Sequence, residues 1–133
     1  MINILAAAVI AALSGFALPQ GQVVTTDEAP LVRVAKPLQG PNCPAPRSIR
    51  SPNSNIPTQV RFINELNGPV DLYWINFKGG WKKYARIRPG GSFSQQTYAG
   101  HAWIAYDVRA GGCVGNSLYF AKKDRGQWVK WHY

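Results

Sequence analysis

From residue 59 onward this chain alternates short runs of β-branched and aromatic residues with glycine-bearing turns, and no other feature limits its fold so strongly. QVRFIN (59–64) stops at Asn67-Gly68, VDLYWINF (70–77) at Lys78-Gly79-Gly80, and WKKYARI (81–87) at Pro89-Gly90-Gly91. SFSQQTY (92–98) stops at Gly100 and AWIAYD (102–107) at Gly111-Gly112, while SLYFAKK (117–123) turns through Asp124-Arg125-Gly126 into QWVKWHY (127–133). No long stretch carries a helical period. The pattern predicts an all-β fold, a seven-stranded antiparallel β-sandwich.

What precedes the strands reads differently. The first seventeen residues, MINILAAAVIAALSGFA, carry no charged side chain and form a secretory h-region, shorter than the roughly 20 apolar residues that span a bilayer. Gly15 and Ala17 supply the small residues a signal peptidase requires, so 1–17 is expected to be a signal peptide cut after Ala17, and the protein secreted to the periplasm or the extracellular space. Eight of the ten prolines fall between residues 18 and 57, and 18–46 is expected to be an extended Pro-rich linker. The β-domain then occupies 47–133, with 46% hydrophobic residues in the chain to build one core.

Export gives the two cysteines a meaning. Outside the cytoplasm an even count favours bridging, so Cys43 and Cys113 are expected to form a disulfide worth roughly 4 kcal/mol in the chain-entropy model. A metal site with His101 or His132 is the rival, but no short paired spacing of the zinc type is present, and neither metal nor other cofactor is expected.

The charge of +9 sits on the β-domain: from Arg47 to Tyr133 there are thirteen Lys or Arg against four Asp or Glu. Lys82, Lys83, Arg86 and Arg88, with Lys122, Lys123 and Arg125, are candidates for a basic patch. On an exported protein such a patch suits acidic polysaccharide or an anionic surface better than nucleic acid. Catalysis finds little support, since no nucleophile elbow is present and the acidic residues are few and scattered.

Strand phase points to a binding surface instead. In WKKYARI, simple alternation puts Lys82, Tyr84 and Arg86 on one face and Trp81, Lys83, Ala85 and Ile87 on the other. In VDLYWINF neither face is plainly polar, and in AWIAYD an indole, Trp103, shares its side with Asp107. Aromatics on the polar side of a sheet suit a ligand more than a core.

RSPNSNIPTQVRFIN (50–64), VDLYWINFKGGWKKYARIRPGG (70–91) and TYAGHAWIAYD (97–107) resemble the von Hippel-Lindau tumour suppressor β-domain family, without gaps from about Arg50 to Asp107 and more loosely beyond. The resemblance implies a seven-stranded sandwich that captures 4-hydroxyproline within an extended peptide. It implies aromatic walls at Trp74, Trp103 and Tyr84, and a hydroxyl-reading pair at Thr97 and His101, where Thr stands for the family's serine. Gln96 replaces the family's peptide-holding histidine. Tyr98, opposite in phase to Thr97, is expected to be structural. No helical domain that docks a ubiquitin-ligase scaffold is expected, and an exported chain would not meet that machinery. The functional expectation is a secreted hydroxyproline-peptide-binding module for extracellular hydroxyproline-bearing proteins.

The physics of such a pocket stands apart from the family. A pyrrolidine ring is restricted in φ, so aromatic walls hold it at small entropic cost. A buried hydroxyl needs both a donor and an acceptor, which a threonine and a neutral histidine can supply.

Overall fold

In the computed structural model, which describes residues 36–133, QVRFIN lies within strand β1, Pro57–Asn64. Its alternation is strict: Thr58, Val60, Phe62 and Asn64 are buried while Gln59 and Arg61 are exposed. The remaining strands are β2 (Val70–Ile75), β3 (Trp81–Ile87), β4 (Ser92–Tyr98), β5 (Ala102–Asp107), β6 (Gly112–Cys113), β7 (Tyr119–Phe120) and β8 (Gln127–Trp131). They form a three-stranded sheet ordered β4-β1-β8 and a larger sheet ordered β3-β2-β5-β6, with β7 also pairing β5. The all-β expectation holds, and no helix occurs among the described residues. The expected signal peptide, 1–17, and the linker up to residue 35 lie outside the described residues.

Two details depart from the predicted sandwich. Eight strands replace seven: Gly112–Cys113 is added, and SLYFAKK contracts to Tyr119–Phe120. The contraction has a local cause, because Ser117 Oγ turns inward to accept from the Ala105 N–H at 3.3 Å, and Gln127 Oε1 accepts from the Lys122 N–H at 2.8 Å, bending both ends of the run. The final strand also runs parallel to β1, pairing Arg61 with Trp128, whereas the other pairings are antiparallel.

Two apolar clusters hold the fold. Between the sheets lie Val60, Phe62, Val70, Leu72, Ile87, Trp103, Ala105 and Trp131, with Phe62 and Trp131 stacked at 5.6 Å. Fully burying each large side chain contributes roughly 1.5–3 kcal/mol before conformational entropy is subtracted. On the outer face of the larger sheet, Ile75, Trp81, Ala102, Ile104 and Cys113 form the second cluster, and Leu38, Cys43 and Ile49 pack onto it. The last part of the expected linker is therefore a strap. The Cys113 N–H donates to the Pro41 carbonyl at 2.9 Å, and a disulfide joins Cys43 to Cys113 with their Cα atoms 4.9 Å apart. The disulfide expectation is met.

A bulge between β2 and β3 overturns the predicted phase of WKKYARI. Leu72 pairs with Ala85 but Tyr73 pairs with Lys83, so Tyr84 is the extra residue. Cross-strand partners share a face, so Ala85 and Ile87 point inward with Leu72 and Val70, while Lys83 and Trp81 point outward with Tyr73 and Ile75. Tyr84 and Lys82 turn inward, and Arg86, predicted to flank Tyr84, instead lies outward against Asp71 at 2.7 Å.

Candidate functional site

The stretch TYAGHAW closes β4 and opens β5 through a tight turn, in which the His101 N–H donates to the Tyr98 carbonyl at 3.1 Å. Gly100 takes φ 90°, a left-handed value that glycine permits there, and a Cβ at this position would meet Pro52 Cγ at 3.2 Å. The turn delivers Thr97 from one sheet and Trp103 from the other, with His101 between them.

A second support comes from Ser51. Its hydroxyl donates to the Ile75 carbonyl and accepts from the Ala102 N–H at 2.8 Å, while its own N–H reaches the Asn76 carbonyl at 3.1 Å. The RSPNSN segment is thereby fixed across the ends of β2 and β5, beside His101.

Between the sheets at this end lies a cavity of about 260 Å³ lined by Trp74, Tyr84, Gln96, Thr97, His101 and Trp103, together with Phe77, Gln95 and Tyr98. All six residues expected to bind ligand therefore meet in one place. Thr97, His101 and Trp103 form its buried base, at 3%, 5% and 2% exposure. Tyr84, Phe77 and Tyr98 form an exposed aromatic rim.

Trp103 is both wall and core: its ring stands 5.0 Å from Tyr84, edge to face, and 5.8 Å from Phe62. Trp74 stacks on His101 at 5.7 Å and meets Tyr84 edge-on at 6.4 Å.

Two hydrogen bonds fix the polarity of the base. The Trp103 indole N–H donates to Thr97 Oγ1 at 3.0 Å, so the hydroxyl already has a donor and its own proton is free for a ligand. The Trp74 indole N–H donates to His101 Nδ1 at 3.2 Å. An indole nitrogen can only donate, so Nδ1 carries the lone pair and neutral His101 bears its proton on Nε2. Burial holds the His101 pKa below its ordinary value of 6.5, opposed by the nearby Pro52 carbonyl. That carbonyl does not complete a hydrogen bond, and the buried Nε2 has no partner at bonding geometry among the described residues. A ligand hydroxyl can accept from Thr97 and donate to Nδ1 by taking the place of the long bond from Trp74.

Gln96 lies outward of Thr97 and reaches the cavity from the edge of the sheet, its amide nitrogen donating to the Thr97 carbonyl at 2.9 Å. Its amide oxygen is left as an acceptor. Tyr98, predicted to be structural, instead lines the cavity, 39% exposed with its ring 5.6 Å from His101. Sequence reasoning missed Phe77, whose ring meets Trp74 at 5.4 Å and His101 at 5.5 Å. Its place at the end of an aromatic run, next to a glycine turn, was the available signal.

The basic candidates come from two separate parts of the chain. Lys82, Lys83, Arg86 and Arg88 belong to or follow β3, at one edge of the larger sheet, while Lys122, Lys123 and Arg125 follow β7, beyond β2 and β5. Lys83 and Arg86 are both engaged by buried Asp71, at 3.3 and 2.7 Å. Burial alone would raise the Asp71 carboxyl, but the hydrogen bond from Arg86 and the charge of Lys83 outweigh it and hold the pKa below 3.8. Lys82 remains near the cavity, 5.2 Å from the Tyr84 ring centroid.

A different cavity, about 300 Å³, lies beside the disulfide and includes Asn42, Asp107, His132 and Tyr133. It holds none of the six selected residues and no buried hydroxyl–imidazole pair. Among the described residues no three His, Cys, Asp or Glu gather around a metal position, and both cysteines are consumed by their bond. Residues 49–124, which include β1 to β7 and the whole of the aromatic cavity but not β8, match the family model described as VHL beta domain.

Proposed function

The chain belongs to the VHL beta domain family, whose members are substrate-recognition modules rather than enzymes, and on that premise we propose that it binds an extended peptide through a 4-hydroxyproline. The observation that carries this reading is the convergence of Trp74, Tyr84, Gln96, Thr97, His101 and Trp103 on one cavity of about 260 Å³. The aromatic rings receive the pyrrolidine. The Thr97 hydroxyl donates to the ligand hydroxyl, which in turn donates to His101 Nδ1.

Plain proline would leave the Thr97 proton without a partner in a buried site. Burying an unpaired polar group costs about 1–3 kcal/mol, which sets the expected discrimination at about five- to 150-fold. The Thr97 hydroxyl is held in position by the Trp103 indole N–H, which donates to it at 3.0 Å. The disulfide supports an oxidising compartment and hence a secreted protein with hydroxyproline-bearing extracellular proteins as partners.

The test is titration calorimetry of the oxidised protein with peptides that differ only in the 4-hydroxyl. The reading expects the hydroxylated peptide to bind more tightly, Thr97→Ser to keep the preference, and Thr97→Val to abolish it. Equal affinity for both peptides would remove it.

A further inference from the structure

The outer face of the three-stranded sheet presents a feature that the peptide pocket does not use. Trp128 is 59% exposed, an indole standing in solvent at the second residue of β8. Register places it in a row with Arg61 of β1 and Ser94 of β4, while Gln59 projects from the same face. A groove of about 220 Å³ runs beside the ring and is lined by Gln59, Arg61, Ser94, Arg125 and Trp128 among others.

Nothing within the domain accounts for this indole. A core role is excluded by its exposure, and its strand is held by the inward residues Val129 and Trp131 and by pairing with β1. Lys130 approaches the ring at 5.3 Å from its centroid, yet its ammonium is shared with Glu65 at 3.6 Å. The groove itself contains no carboxylate. Of the carboxylates near its border, Glu65 is paired with Lys130, and Asp124 Oδ1 accepts from the Gly126 N–H at 2.9 Å. Arg61 spends one guanidinium nitrogen on Ser92 Oγ at 2.9 Å, which orients the fork and leaves its other N–H groups facing outward.

We propose that this face binds an acidic saccharide, with one sugar ring laid on Trp128 and its carboxylate or sulfate held by Arg61 and Arg125. The chemistry fits each part. A sugar ring has an apolar C–H face that covers an indole, hydroxyl groups that the Gln59 amide and Ser94 hydroxyl can pair, and an anionic group suited to a guanidinium fork. Single-stranded nucleic acid is the less favoured occupant, because base stacking proceeds along several aromatics and this groove offers one ring. The site is separate from the basic residues of β3 and from the hydroxyproline pocket, so it does not depend on that reading.

Titration of the full oxidised chain with a galacturonic acid tetramer, a neutral galactose tetramer and a short oligothymidylate separates the outcomes. The proposal expects the acidic tetramer to bind and to quench indole fluorescence, the neutral one to bind at least about tenfold more weakly, and added salt to weaken the acidic complex. Trp128→Ala and Arg61→Gln are surface changes whose folding is checked by an unchanged melting profile. Each is expected to reduce acidic-tetramer affinity by about tenfold. Equal binding of the two tetramers, retention of binding in Trp128→Ala, or oligothymidylate as the only ligand would each overturn the assignment.

Discussion

The two faces of the larger sheet are built from the same strands and are equally rich in large aromatic and aliphatic side chains, yet they end in opposite states. Outward, Ile75, Trp81 and Ile104 are covered by Leu38 and Cys43 of the strap and by Ile49, and the disulfide fastens that cover. Inward, Leu72 and Ala105 disappear under the second sheet, but Trp74, Tyr84 and Trp103 meet a gap beside β4. Composition does not decide which aromatic surface becomes core and which becomes a pocket. The decision lies in which other segment of the chain reaches it, and in polar groups such as Thr97 and His101 at the base of the face left open.

The comparison makes the covered face a matter of stability and the open face a matter of binding, and substitutions can break that division. Replacing both cysteines by serine should have the largest effect, about 4 kcal/mol lost in denaturant titration from freeing the strap in the unfolded chain. Binding at temperatures where the variant stays folded should survive. Trp81→Ala should cost about 3 kcal/mol, because the ring is 3% exposed beneath the strap. Tyr84→Ala should cost less than about 1 kcal/mol in stability from a rim position 38% exposed, while weakening hydroxyproline-peptide binding about tenfold or more. A large loss of stability in Tyr84→Ala with unchanged affinity would erase the distinction.

Smaller effects sharpen it through pH. Asp71 is depressed below 3.8, so its contribution is present above that value and is lost as the pH falls through the lower folded-state pKa. Asp71→Asn should therefore cost about 1 kcal/mol near neutrality, read by thermal melting, and should flatten the acid limb of the stability profile. His101 carries the opposite consequence for binding. Its pKa lies below 6.5 because burial favours the neutral ring, so peptide affinity should be flat from neutral pH down to that value and fall only below it, as Nδ1 becomes a donor. An affinity that rises on acidification would contradict the acceptor role of Nδ1.

The sequence carried the strands and the candidate residues of the pocket further than it carried their connections. Strict alternation made β1 plain, and the glycine-bearing turns bounded β2 to β5. The family resemblance selected six residues that meet in one cavity. Simple alternation failed at Tyr84, where a bulge with no glycine to mark it moves Tyr84 and Lys82 to the inner face and leaves Arg86 outside. The parallel placement of β8 depends on pairing distant in sequence, which periodicity does not encode. Residues 38–43 looked like tether because they lie in a proline-rich stretch without hydrophobic periodicity, and only tertiary contact shows that Leu38 and Cys43 seal a face. Phe77 and Tyr98 were hidden for the same reason, since a rim residue is defined by what stands across from it.

The five tryptophans make the central claim directly measurable, because they report four places: Trp74 and Trp103 in the pocket, Trp81 under the strap, Trp131 between the sheets, Trp128 on the outer face. The decisive measurement follows their indole N–H signals by NMR while hydroxyproline peptide is added to the oxidised protein. The account predicts that Trp74 and Trp103 shift, Trp74 most because its bond to His101 is displaced, while the other three stay in place. No shift at Trp74 and Trp103, or the same shifts with the unhydroxylated peptide, would contradict it.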